Sequence, residues 1–146
     1  MGGKQIFFSY ADKDYSPYKI VQTSAQLTEI GRGLIGYIYY WEREKSKYSS
    51  IRAYEEDGIS KSNAVVVFFA ERTKNTGGVV DELEIARAKN KLIIPVFPAG
   101  HPEEIWDEEL RGKGVIGVAF GKDSNKFVDD LLLNIINKGE QENPLT

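Results

Sequence analysis

The chain has 146 residues, of which 41% are hydrophobic and 28% charged, with a net charge of −3. That is ordinary globular usage for one domain and gives no electrostatic footprint for DNA or RNA. With no cysteine and one histidine (His101), thiolate chemistry, disulfides and multi-histidine metal sites are excluded, and no metal site is expected. No apolar run approaches the roughly 20 residues needed to span a bilayer. The expectation is a cytoplasmic protein without a membrane segment.

In chain order, Gln5–Ser9 (QIFFS) is the first short apolar run and Leu34–Tyr40 (LIGYIYY) the second. Ala64–Phe69 (AVVVFF), Leu92–Phe97 (LIIPVF) and the weaker Val115–Phe120 (VIGVAF) follow. Continuous rather than alternating apolarity predicts strands covered on both faces, as in a parallel sheet. Pro95 removes one ladder donor and favours an edge, a bulge or an early stop for the fourth strand.

Helices fit between the runs. Ser16-Pro17 reads as a helix start and Gly31 as its stop. Lys47 to Asp57 reads as a second helix ended by Gly58, and Val79 to Asn90 as a third. Ser124 caps a last helix carrying Leu131, Leu132, Ile135 and Ile136. The domain is expected over 1–138, with Gly139 to Thr146 as a flexible tail. Strand–helix alternation predicts an open parallel α/β sheet, in which ligands bind beyond the carboxyl ends of the strands.

That rule singles out the segments just after Ser9, Tyr40, Phe69 and Phe97, and chemistry is offered at the first three. Ser9-Tyr10-Ala11-Asp12-Lys13-Asp14 offers a hydroxyl, a phenol and two carboxylates, against the plainer reading of a loop that satisfies its own backbone. Tyr40-Trp41-Glu42-Arg43 could stack on and clamp a nucleotide, or Trp41 could simply pack. On the helix after the third strand, Val79, Leu83, Ala86 and Asn90 form the inward stripe at about 100° per residue. Glu82 borders it, Asp81 points away and Glu84 lies on the other flank. Glu82 is thus the carboxylate placed for partial burial, although helix-dipole compensation explains acids here as well. No Gly-rich phosphate loop and no GxSxG elbow occurs.

Four stretches together resemble the TIR (Toll/interleukin-1 receptor) domains of bacterial and archaeal type. They are Ile6-Phe7-Phe8-Ser9-Tyr10 with Asp14, Ile59 to Val67 with Ser62-Asn63, Glu82-Leu83-Glu84-Ile85-Ala86, and Lys91 to Val96. The resemblance implies a flavodoxin-like three-layer sandwich, a five-stranded parallel sheet with helices on both faces. In enzymatic members it implies cleavage of the nicotinamide–ribose bond of NAD, as glycohydrolase or cyclase, in defence or signalling. NAD is then substrate, and no cofactor is implied. The catalytic glutamate maps onto Glu82. Substrate contacts map onto Ser9, Tyr10 and Asp14 and onto the segment holding Trp41 and Arg43. Homo-oligomers through TIR–TIR contacts are implied as well. The position that often carries Trp before the glutamate is Gly78 here. Two other readings stand beside this one: a non-catalytic self-association module, and an N-glycosidic enzyme resembling nucleoside deoxyribosyltransferases through Gly77-Gly78 and Glu82 to Asn90.

Overall fold

A computed structural model of the chain describes residues 3–11, 17–69, 77–98, 106–107, 110, 118–120 and 124–142. The elements are β1 (Lys4–Ser9), α1 (Pro17–Ile30), β2 (Ile35–Tyr39), α2 (Trp41–Glu44) with a 3-10 turn (Lys45–Lys47), and α3 (Ile51–Lys61). They continue with β3 (Ala64–Phe68), α4 (Gly77–Ala88), β4 (Leu92–Pro98), β5 (Val118–Phe120) and α5 (Ser124–Glu142). All strand pairs are parallel, in the order β2-β1-β3-β4-β5. Four strands run five to seven residues, whereas β5 pairs over three.

The continuous apolar runs are explained by two cores. Ile6, Phe8, Val66, Phe68 and Val96 face α1 and α5, where Ile20, Leu27 and Leu131 meet them. Phe7, Val65, Val67 and Phe69 face α3 and α4, where Tyr54, Ile59, Val79 and Leu83 meet them. Residues alternate along each strand between two buried faces, so neither face tolerates polarity. The result is the α/β sandwich with helices on both faces that the sequence pattern implies.

The Ser62-Asn63 step has a structural account. Ser62 Oγ donates to Gly58 O at 2.6 Å and closes the end of α3. Asn63 then ties β3 to β1 in both directions: its N–H donates to Gln5 O, and its Oδ1 accepts from Gln5 N, each at 2.7 Å.

The structure departs from the sequence reading at five places. First, α3 does not end at Gly58 but runs to Lys61. Gly58 is there for space: a Cβ would sit 2.9 Å from Phe7 Cε2, inside contact distance. Second, Pro95 lies inside β4, which is flanked by β3 and β5. The Val96 carbonyl accepts from Phe69 N on the β3 side. One residue earlier, Pro95 therefore turns its nitrogen away from β3, so the β3–β4 ladder loses no bond to it. Third, Asn90 is exposed and sits at φ 56 in the turn after α4, not on the inward stripe. A left-handed residue at that place stops a helix, and Asn tolerates it. Fourth, α5 passes through Gly139 to Glu142, so the helix covers half of the expected tail. One glycine costs a helix only about 1 kcal/mol, and Glu140, Gln141 and Glu142 are good helix formers. Fifth, α2 and the 3-10 turn after β2 were not expected.

Asp14, His101, and residues 115–117 of the fifth apolar run lie outside the described residues. No helix among the described residues is long and apolar enough to cross a membrane. No group of three or more potential metal ligands occurs among them either.

Candidate functional site

Strand order fixes where the site lies. The chain leaves β1 toward β2 on one side and later returns to place β3 on the other. The carboxyl ends of β1 and β3 therefore flank the switch point of the sheet, where open α/β sheets bind ligands. Ser9 ends β1 and pairs with Val67. With a side-chain period of two, Ser9 shares the face of Phe7, which is the α3–α4 face.

Glu82 comes to the same point from α4. Val79, Leu83 and Ala86 are buried along that helix, Glu84 is exposed, and Glu82 is only 6% exposed. Ser9 Oγ donates to Glu82 Oε1 at 2.6 Å. Burial pushes the Glu82 carboxyl well above the ordinary glutamate value of 4.5. The Ser9 hydrogen bond opposes that shift and the neighbouring Glu55 reinforces it.

Glu55 is the residue that sequence reasoning missed. It is 2% exposed on α3, and it neighbours Glu82 closely enough for each carboxyl to shift the other. Its own pKa is raised, by burial first and then by Asp81. Next to it, Tyr54 is 1% exposed, and its hydroxyl has no hydrogen-bond partner among the described residues. Burial and then the charge of Glu82 push that hydroxyl upward, so it remains a neutral donor.

The other expected site residues fall into different surroundings. Tyr10 packs against the α1–α5 core, on the opposite side of the sheet from Ser9. Trp41 packs on the α3–α4 side, its ring centroid 5.1 Å from that of Tyr54, which also touches Phe7 and Tyr48. Arg43 is engaged within the fold. Its Nε donates to Glu44 Oε2 at 3.1 Å, and its terminal nitrogen donates to the Ile38 carbonyl. The guanidinium lies 4.5 Å and 4.7 Å from the ring centroids of Tyr37 and Tyr40. The carboxylate it meets, Glu44, is 2% exposed and also accepts from Tyr37 Oη at 2.6 Å and Lys47 Nζ at 3.4 Å. The structure thus joins Ser9 to Glu82 and sets Trp41 against their aromatic neighbour, while Arg43 serves Glu44.

Gly78, one helical turn before Glu82, leaves space on this side. Among the described residues a Cβ there would meet only Glu55 Oε2, at 3.9 Å.

Superposition on solved structures decides the fold family. The TIR domains of the activated Roq1 resistosome directly recognizing the pathogen effector XopQ align over 96% of this chain and 77% of that chain. The TM-score is 0.57 at 16% sequence identity. The chain has the fold of a TIR domain. No family model matches it, and no curated protein matches it. The likeness to that TIR structure is one of architecture, and the chemistry has to be argued from Glu82 and its neighbours.

Proposed function

We propose that this TIR-fold domain cleaves the nicotinamide–ribose bond of NAD, with Glu82 as the carboxylate that faces the ribose. The observation that carries the reading is the buried contact of Ser9 with Glu82 at the switch point of the sheet. Catalytic carboxyls with shifted pKa values are built by burial and specific partners at such places. Nicotinamide in NAD is a cationic leaving group and departs neutral without a general acid. What the reaction needs is stabilisation of the positive charge that develops at the ribose C1′, as in other glycosyl transfers. A carboxylate held rigidly by Ser9 supplies it in a site largely closed to water. Trp41 stands as the candidate substrate contact on this face of the sheet, with Asp14 beyond the described residues.

The test is a time course of nicotinamide release from NAD with wild type and Glu82→Gln, at low and high protein concentration. Release by wild type alone supports the proposal. Absence of release in every assembled state, or equal release by the variant, overturns it.

A second reading takes support from the neighbour's setting in a resistosome: a module that acts by associating with copies of itself. Its mark is concentration-dependent assembly that Glu82→Gln leaves unchanged, with no turnover of NAD by either protein. The cytoplasm, where NAD is abundant, is the setting that suits the first reading.

A further inference from the structure

Burial opposes ionisation of Glu82, yet a carboxylate is what stabilises a positively charged transition state. Glu55 resolves the conflict. We propose that Glu55 is a positioning residue for Glu82: the two carboxyls share one proton, and Glu55 takes it over when Glu82 must meet positive charge. The chemical consequence rests on the NAD-cleaving reading; the proton sharing does not.

Three observations support the assignment. Both side chains are almost wholly inaccessible and adjoin where α3 meets α4, with Glu55 Oε2 3.9 Å from the place of a Cβ on Gly78, one turn before Glu82. Two carboxylates in such contact cannot both be ionised, so one proton stays between them. Burial raises both carboxyls, so neither ionises readily beside the other. Among the described residues the surroundings then hold one negative charge without a paired cation. Ser9 donates to Glu82, and Tyr54 brings a third buried polar group, a hydroxyl without a partner among the described residues. Around the pair the charged or titratable groups are Tyr10 from the end of β1, Arg52, Tyr54 and Glu56 from α3, and Asp81 from α4. Of these only Arg52 is cationic, and it is exposed and paired with Glu56 at 3.0 Å.

The sequence of events balances. As the C1′–N bond of NAD breaks, its electron pair leaves with nicotinamide. The Glu82 proton crosses to Glu55, and the Glu82 carboxylate faces the developing cation. Water adds to C1′ and gives its proton to Glu82. One proton of the doubly protonated pair then returns to solvent. The sum is NAD plus water to ADP-ribose, nicotinamide and one proton.

The experiment reads the pair directly. Protein labelled with 13C at the glutamate side-chain carboxyl is titrated by NMR as wild type, Glu55→Gln and Glu82→Gln. In wild type one of the two carboxyls stays protonated through neutral pH. In Glu55→Gln the Glu82 resonance titrates at lower pH, and in Glu82→Gln the Glu55 resonance does the same. Titration of either residue unchanged by removal of the other overturns the proposal, and each variant checks the other. No turnover is needed, so an inactive wild type would sink the NAD reading and leave this result standing. Where wild type is active, Glu55→Gln lowers kcat about tenfold or more, leaves KM unchanged, and moves the acid limb of the pH profile to lower pH. A purely structural Glu55 would leave the pH profile where it is.

Discussion

Ser9 Oγ and Glu82 Oε1 lie 2.6 Å apart although 73 positions separate them in the chain. The bond favours the ionised form of a carboxyl that burial would otherwise keep neutral. Ser9→Ala is therefore expected to drive Glu82 further upward. Activity that needs the carboxylate would then fall off at a higher pH than in wild type. The acid limb of nicotinamide release against pH reads the shift, and urea unfolding reads the accompanying loss of about 1 kcal/mol for one hydrogen bond.

Glu82 itself is expected to burden the fold. Its folded pKa lies above the unfolded value of 4.5, so between the two the native state holds a proton that the unfolded state has released. Stability then falls as pH rises through that window, and the deficit persists above it. Glu82→Gln should be more stable than wild type at pH 8, and the difference should shrink toward pH 4. Urea midpoints at both pH values test this; a gap independent of pH would contradict the assignment of a raised carboxyl.

Glu44 has the opposite sign. Burial works against its ionisation, but Tyr37, Arg43 and Lys47 together outweigh burial and hold its carboxyl below the ordinary range. Its contribution is present above the unfolded value of 4.5 and is lost as pH falls through the lower folded value. Arg43→Ala removes one of three partners of a buried carboxylate and should cost about 1–3 kcal/mol at pH 7. The same variant should lose stability less steeply than wild type between pH 5 and pH 3. If Arg43 instead clamps substrate, the variant raises KM for NAD with stability untouched.

Two glycines in adjacent helices should respond in opposite ways. Gly58→Ala drives a methyl group into the Phe7 ring, 2.9 Å from Cε2, and overpacking of this kind costs about 1–3 kcal/mol. Among the described residues Gly78→Ala meets only Glu55 Oε2, at 3.9 Å, and should be neutral or stabilise by up to about 1 kcal/mol through helix propensity. Thermal unfolding of the two variants separates space from backbone freedom as the reason for each glycine.

The layers were legible because short, β-branched apolar runs without alternation fit strands buried on both sides, and Pro17 and Gly31 marked the ends of α1. Glu82 was legible because α4 has a clean stripe: Val79, Leu83 and Ala86 define a buried face, and Glu82 is the acid beside it. Glu55 was not, and the cause is local. Within Glu55-Glu56-Asp57 composition cannot rank three acids. Their ranking needs Ile59 and Ser62 as further marks of the buried face, and reading Gly58 as a stop removed both. With α3 carried to Lys61, Tyr54, Glu55, Gly58 and Ile59 fall on one face, and Glu55 stands out as the acid within it. Arg43 misled for a related reason: a sequence shows that an arginine is near aromatics, not that a buried Glu44 already occupies its guanidinium. The halt of Pro95 was misjudged because which side a backbone nitrogen faces depends on strand order, which no local pattern encodes.

The register of β1 against β3 has one more implication. Ser9 stands opposite Val67, and sliding one strand past the other by a single residue would swing its hydroxyl to the α1–α5 layer. Glu82, delivered by the helix that follows β3, would then sit over an apolar side chain without a donor. The Ser9–Glu82 bond is thus a readout of correct strand alignment: a misthreaded chain cannot form it.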